Sequence, residues 1–405
     1  MPIKYQPKVR SHSASLAPLQ EKSAKSNLPN ITLVKMASAE QLTRASVEFY
    51  PLRSGGHARI FLAKTANQEL IIKKGITKAD QADLQKEKQV LFALASSSHV
   101  VKLHSNSIES LTEQDTDINQ QLHLTDNNSI ALEKINGEQI NSTFQYLEDA
   151  LSIGEISIEN YFDALVFLFK DMLVGLSDIQ QQNFVHGDLK PNNILYDKTK
   201  QQAVFIDFGT TVKQGEQLVA GHELYASPEA IGGMAGKQTE AKFSDDLWAM
   251  GQIFYEIVNS LLHNKTSKFL TANITELTSY SDRVGQLMAL MQTYKQYINQ
   301  ELNQSVLDIY TTEIKDSPIS HCITDFASFE LFNQKLQPIL QCLQGIFMPS
   351  IQNRISTADA LQLLENDYQI DVEQAKALLA KTNLFITKKA ELHRKAREKY
   401  NIKFE

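Results

Sequence analysis

Cysteine is nearly absent: Cys322 and Cys342 are the two that 405 residues contain. That excludes a disulfide-held scaffold and any zinc site built on four thiolates, and it fits a reducing compartment. Glycine and proline are sparse as well, at sixteen and ten, far from the composition of a disordered chain. No run reaches the roughly 18 apolar residues of a membrane helix. The greasiest stretch, Ala164 to Leu176, is broken by Lys170 and Asp171, so a soluble chain with no integral membrane segment is expected. Behind Met1-Pro2-Ile3-Lys4 no apolar stretch of leader length follows, and a secretory signal is not expected, although export by another route stays open. The body of the chain also lacks positive charge. Residues 1–40 carry six Lys/Arg against two Glu, residues 371–405 carry nine against five acids, and the formal total of -7 leaves about -15 for the middle. Such a surface argues against nucleic acid as a partner.

What is present is ordinary globular material, 42% apolar and 21% charged, long enough for two or three folded units. Residues 1–40 mix Ser, Lys, Pro and Gln without a helical or strand period and read as a flexible basic lead. From Tyr50 the pattern turns extended, with Arg59 to Leu62 and Leu70 to Lys73 as a strand pair around the turn-like Thr65-Ala66-Asn67-Gln68. A helix follows over Lys78 to Leu94, then strands at His99 to Leu103 and Ser129 to Ile135. Helical periodicity takes over behind a cap at Ser157, interrupted by short strands at Asn193 to Tyr196 and Ala203 to Ile206. Further helices are predicted at Ser244 to Ser260, Ser281 to Leu302, Asp325 to Gly345, Thr357 to Asn366 and Val372 to about Lys399. A small strand-rich lobe followed by a larger helical lobe is an α+β, bilobal architecture.

The chemistry concentrates in His186-Gly187-Asp188-Leu189-Lys190-Pro191-Asn192-Asn193-Ile194-Leu195, followed fourteen residues after Asn193 by Asp207-Phe208-Gly209. Phosphoryl transfer from a nucleotide needs one carboxylate to orient an attacking hydroxyl and further oxygen ligands to hold magnesium against the phosphates. Asp188, Asn193 and Asp207 supply those parts, and Lys190 can neutralise charge on the transferred group. Either short motif alone reads equally well as a surface turn with chance acids; both in order at this spacing do not.

These motifs resemble those of the eukaryotic-type protein kinase family, over about residues 48 to 365. The resemblance implies a kinase fold with ATP and Mg2+ as cofactors, a small lobe within 41–136, a large lobe within 137–368 and a basic helical extension over 369–405. It implies Asp188 as catalytic carboxylate, Lys190 as phosphate-contacting lysine, and Asn193 and Asp207 as magnesium ligands. Lys73 and Glu87 are similar to the family's phosphate-holding lysine and its orienting glutamate. Lys74 and Lys86 are weaker alternatives, since Lys73 and Lys74 face opposite sides of a strand. Gly55 and Gly56 stand in the phosphate-covering loop; Ile60, Ile71, Leu132, Glu133, Ile135 and Leu195 surround the adenine, with Leu132 as gatekeeper. Tyr225 to Glu229 looks like the end of an activation segment, Asp246 to Gly251 like the start of the central helix, and Arg354 like the buried partner of Glu229.

The sequence departs from the family at four places. Arg53-Ser54-Gly55-Gly56-His57-Ala58 keeps one glycine of three, and Ile71 replaces the usual alanine above the adenine. Gly187 replaces the arginine that pairs with a phosphorylated loop, so activity without an activating kinase is expected. Thr210, Thr211 and Ser227 stand as modification candidates, and His222 takes the place of a threonine beside the catalytic aspartate. The leading reading is a monomeric serine/threonine protein kinase acting on protein substrates. A pseudokinase scaffold and a small-molecule phosphotransferase are the alternatives. The basic residues Lys388, Lys389, Arg394, Lys395, Arg397 and Lys399 offer a contact for acidic lipid or a partner. The motifs also look like those of kinases that intracellular bacteria deliver into host cells, which implies a cytoplasmic or host-delivered location.

Overall fold

Period-2 burial along residues 58–64 and 69–75 marks the two inner strands of the first sheet. β1 (Glu48–Ser54), β2 (Ala58–Lys64), β3 (Glu69–Gly75) and β4 (Ser129–Glu133) lie side by side in chain order, all antiparallel. Phe61, Ala63, Leu70, Ile72 and Ala131 are buried on one face, where Leu124 and Leu122 cover them. Ile60, Ile71, Lys73 and Leu132 alternate with these and take the other face. The computed structural model describes residues 48–54, 57–64, 68–104, 122–218, 221–234, 238–263, 281–366 and 368–381. The basic lead, the Gly55-Gly56 turn and the C-terminal basic cluster expected from the sequence lie outside the described residues.

Between β3 and β4 stands α1 (Lys78–Ala93), started by Thr77, whose hydroxyl accepts from Asp80 N–H while the Asp80 carboxylate accepts from Thr77 N–H. Glu87 and Leu91, one turn apart, are both buried. Residues 99–103 do not form the strand expected there. Their backbone is shared between two partners, Val100 bridging to Phe205 and Leu103 to Leu132, so no continuous ladder develops. β4 also ends at Glu133, earlier than Ile135.

The large lobe follows as β5 (Gly137–Gln139), α2 (Ile140–Ser152), α3 (Ile158–Gln181), β6 (Phe184–Val185), β7 (Ile194–Asp197), β8 (Gln202–Phe205) and β9 (Val212–Lys213). Then come α4 (Pro228–Met234), α5 (Phe243–Leu262), α6 (Ser281–Ile298), α7 (Gln304–Ile309), α8 (Phe326–Ile346), α9 (Thr357–Asn366) and α10 (Val372–Ala380). The sequence pattern missed α2, because its N-cap, Gln139, makes no side-chain capping bond, so no start signal marks it. Instead its Ile140, Phe144, Leu147 and Leu151 are buried and hold it in place. Ser157 caps α3 as expected, accepting from Asn160 N–H at 3.2 Å. α6 stops at Ile298 rather than Leu302; two residues on, Gln300 takes φ +60°, a conformation incompatible with continuing a helix.

α3 and α5 form the centre of this lobe. Phe169 and Phe254 stack with ring centroids 3.6 Å apart, and Trp248 meets Phe347 edge-on at 5.0 Å. Each such fully buried ring contributes about 1.5–3 kcal/mol through area removed from water. The result is a rigid platform whose edge carries β6, β7 and β8 and the loops between them.

Candidate active site

Lys73 points out of β3 toward α1, while Lys74, on the opposite face, donates to the Leu122 carbonyl. The Lys73 ammonium bonds both oxygens of Glu87, at 2.8 and 3.1 Å, and Asp207 Oδ1 at 2.6 Å. Glu87 is only 2% exposed. Burial alone would lower the Lys73 pKa, but the Glu87 and Asp207 carboxylates outweigh it and hold the ammonium above the usual lysine value. Burial pushes Glu87 up, against the pull of Lys73. Strand, helix and the distant Asp207 loop therefore converge on one cation.

The loop after β6 is fixed by Asp246 at the start of α5. Its carboxylate accepts from His186 N–H at 2.6 Å and Gly187 N–H at 3.0 Å, while burial pushes its pKa up to about 7. Gly187 sits at φ +79°, where a side chain is strained, and a Cβ would stand 3.1 Å from the Thr210 carbonyl oxygen. Glycine is thus a conformational requirement here as well as the loss of an arginine. Asp188, next along, accepts from Lys190 Nζ at 2.5 Å. Asn193 donates its amide to the Asp188 carbonyl at 2.8 Å and to Asp188 Oδ2 at 3.2 Å, so its amide oxygen is the part left to act as a ligand.

β7 and β8 form an antiparallel hairpin that returns the chain to Ile206 and Asp207. Ile206 is held from two sides, its N–H donating to Asn193 O at 3.0 Å and its carbonyl paired with His186 Nε2 at 3.1 Å. Asp207 adopts φ +65°, a conformation that a short polar residue tolerates. Burial would raise its pKa, but the Lys73 ammonium holds it below the ordinary carboxylate value. One of its oxygens is bonded to Lys73, which leaves the other for a cation.

Of the expected adenine-site residues, Leu132 is buried and Ile71 and Ile135 pack against the same core. Ile71 pairs with Leu132 across β3 and β4, and Ile60 with Lys73 across β2 and β3. Leu195 is half-buried on β7. The Glu133 N–H is committed to the Lys102 carbonyl at 2.9 Å, and its carboxylate to Lys200 at 2.8 and 2.9 Å.

The described residues from Asp207 to Leu218 are held by bonds to the loop after β6, to β6 and to residues 239–241. Thr210 and Thr211 hydroxyls both donate to the His186 carbonyl at 3.1 Å, and β9 pairs with β6. Beyond it, Gly215 N–H donates to Ala241 O, Ala241 N–H to Glu216 O and Leu218 N–H to Thr239 O, at 2.8 to 2.9 Å. Glu229 meets Arg354 through two parallel bonds of 3.0 Å, with the guanidinium 4.4 Å above the Trp248 ring. Ser227, a modification candidate from sequence, is fully buried; its hydroxyl donates to Asp245 at 2.6 Å and accepts from Ala230 N–H. No enzyme reaches it in the folded chain. His222 is exposed beside Tyr225 and lines one small pocket with Asp188.

A strand-rich small lobe set on a helical large lobe, with the Lys73, Asp188 and Asp207 groups at the edges where they meet, has the architecture of a kinase fold. The protein kinase domain model matches residues 51–368, and the chain belongs to that family. It is 30% identical over 118 residues to Serine/threonine-protein kinase nekl-2 of Caenorhabditis elegans, covering 28% of this chain and 32% of that protein. Over 121 residues it is 33% identical to Serine/threonine-protein kinase Kist of Homo sapiens, 27% of this chain and 29% of the other. Protein kinase YpkA of Yersinia pestis matches at 25% over 116 residues, 28% and 16% of the two chains. The chain thus covers about a third or less of each of these relatives. Among the described residues no helix is long and apolar enough to cross a membrane.

Proposed function

We propose that the chain is an ATP- and Mg2+-dependent protein kinase that transfers the γ-phosphate to Ser or Thr hydroxyls of protein substrates. The observation that carries this reading is the single ammonium of Lys73 bonded at once to Glu87 and Asp207. That arrangement aligns a phosphate-binding cation with a metal-binding acid before any nucleotide arrives, so little reorganisation remains at the moment of reaction. Lys73 is assigned to the nucleotide phosphates and Glu87 to positioning Lys73. Asp188 accepts the hydroxyl proton as the new O–P bond forms and the bond to ADP breaks; Lys190 swings from Asp188 to the phosphoryl oxygens.

Asn193 and Asp207 offer hard oxygen donors, one amide and one carboxylate. Among the described residues there is no cluster of three His, Cys, Asp or Glu side chains to form an all-protein cage. Magnesium held partly by phosphate oxygens needs only one or two protein ligands, so this donor pair fits it. When bound, the ion neutralises charge between the phosphates. Gly187 and the backbone bonds that order residues 210–218 support activity without activation-loop phosphorylation. Preference for Ser/Thr rests on Lys190 and on the likeness to two serine/threonine kinases. A bacterial kinase delivered into host cells is part of the same proposal, supported by the likeness to YpkA. The test is transfer of label from γ-labelled ATP to dephosphorylated casein, beside Asp188→Ala and Asp207→Ala. Label on casein from the unaltered chain alone supports the reading; equal labelling by all three defeats it.

A further inference from the structure

On α3, Asp171, Gly175 and Asp178 follow at intervals of four and three and share one face. His99, from the connection between α1 and β4, is inserted between them. Its Nε2 lies 3.0 Å from Asp171 Oδ1 and its Nδ1 3.3 Å from Asp178 Oδ2. The socket depends on Gly175: a Cβ there would stand 2.8 Å from His99 Cβ and 2.5 Å from Phe205 Cε2. Each carboxylate is already an acceptor elsewhere, Asp178 from the Ser97 hydroxyl at 2.6 Å and Asp171 from Ala203 N–H. A neutral imidazole has one N–H and could satisfy only one of them; the doubly protonated ring satisfies both. The Asp171 side chain is 15% exposed and that of Asp178 30%, so the larger cost of an unmatched carboxylate falls on Asp171.

The same residue stitches the connection to β8, the strand that ends two residues before Asp207. Phe205 N–H donates to the His99 carbonyl at 2.7 Å, and Val101 N–H donates to the Phe205 carbonyl at 3.1 Å. We propose that His99, seated as an imidazolium between Asp171 and Asp178, is a positioning residue that clasps the small lobe's α1–β4 connection to α3 and, through β8, sets where Asp207 stands. The catalytic half of this proposal rests on the phosphotransfer reading above.

The charged groups around the ring are few. α3 supplies Asp171 and Asp178. The connection itself supplies Lys102, whose ammonium donates to the Ala95 and Ser97 carbonyls, and β8 contributes only backbone. Lys200, on the β7–β8 turn, is paired with Glu133. Burial alone would lower the His99 pKa, but Asp171 and then Asp178 raise it above the ordinary histidine value of 6.5. A histidine raised in this way contributes stability that is fully present below its unfolded pKa and is lost as pH rises through the folded value. Asp178 sits at the rim of a surface pocket lined also by Ser96, Ser98, Gln181 and Gln182, which gives protons a route.

The experiment compares the full chain with His99→Gln and with the milder Asp178→Asn. Thermal midpoints are read from about pH 6 to about pH 9. The unaltered chain is expected to melt about 2 °C above either variant at the acid end, with the gap shrinking by more than half at the alkaline end. A gap equal at both ends, or none at either, overturns the clasp. In parallel, Asp178→Asn is expected to lower kcat on casein about 3- to 10-fold near pH 6.5 with the casein KM unchanged; an unchanged kcat overturns the positioning role. The melting arm needs no turnover. A pH-dependent gap in a chain that transfers no phosphate would refute the kinase reading while leaving the clasp supported.

Discussion

Removing the Lys73 ammonium should do two separable things. Lys73→Met leaves Glu87, at 2% exposure, as a buried carboxylate stripped of two charged hydrogen bonds of 2.8 and 3.1 Å. Breaking a buried pair from one side costs about 3–5 kcal/mol. Asp207, half exposed, loses its 2.6 Å bond to the same ammonium but can turn to water, so it adds little. Glu87→Gln alone leaves Lys73 a second partner in Asp207 and is expected to cost less, about 1–2 kcal/mol. The double variant removes both charges together and should cost about 2 kcal/mol less than the two single variants summed, a coupling energy of that size in a double-mutant cycle read by urea unfolding. Activity should not recover, because nothing then holds the phosphates. Transfer from labelled ATP should fall about 100- to 1000-fold in Lys73→Met and stay there in the double variant. Single costs that add to within about 0.5 kcal/mol would refute the reasoning, since independent sites add and contacting charges do not. So would a double variant whose activity returns with its stability.

Other outcomes test different parts of the molecule. Burial would raise the Glu229 pKa, but Arg354 holds it below the ordinary value of 4.5. Its stabilisation is therefore present above that value and lost as pH falls through the folded one, so the unaltered chain should lose thermal stability more steeply than Glu229→Gln between about pH 5 and pH 3.5. Ser227→Ala should cost about 1–3 kcal/mol in unfolding measurements, because the buried Asp245 carboxylate loses its 2.6 Å donor. Phosphatase treatment should leave at least half of the initial rate on casein; abolition would show that a phosphate orders this segment. Ile71→Ala should lower the KM for ATP a few-fold by opening the roof beside Leu132, and an increase would place Ile71 among favourable adenine contacts.

The order of motifs and the periodicity settled much in advance. The two-lobe α+β plan follows from strand-type alternation at residues 58–75 giving way to helical spacing after residue 157, since burial of one face dictates those periods. The same alternation required that only one of Lys73 and Lys74 face α1, and the structure does put them on opposite faces. Glu87 was legible from its turn-by-turn relation to Leu91. Elsewhere, local signals failed where the deciding contact is remote. α2 has no capping side chain and is helical because its apolar face is buried. Residues 99–103 carry strand-forming residues but divide their bonds between Phe205 and Leu132, which belong to different sheets. Nothing near Ser227 in sequence announces Asp245, eighteen residues on.

The clasp at His99 shows the boundary most clearly. Its two carboxylates lie 72 and 79 residues away, and no spacing rule joins a histidine in a Ser-rich connection to acids on a later helix. Asp246 is similar: sequence placed it at the start of a helix, but only the fold brings its carboxylate to the His186 and Gly187 amides. What the chain's composition and periodicity determined was which residues face inward and which short segments hold oxygen and nitrogen ligands in fixed local relation. What the tertiary structure decided was which charges meet. That depends on the approach of α1, α3, α5 and the β7–β8 hairpin within hydrogen-bonding distance, and an electrostatic partner across tens of residues leaves no period in the sequence.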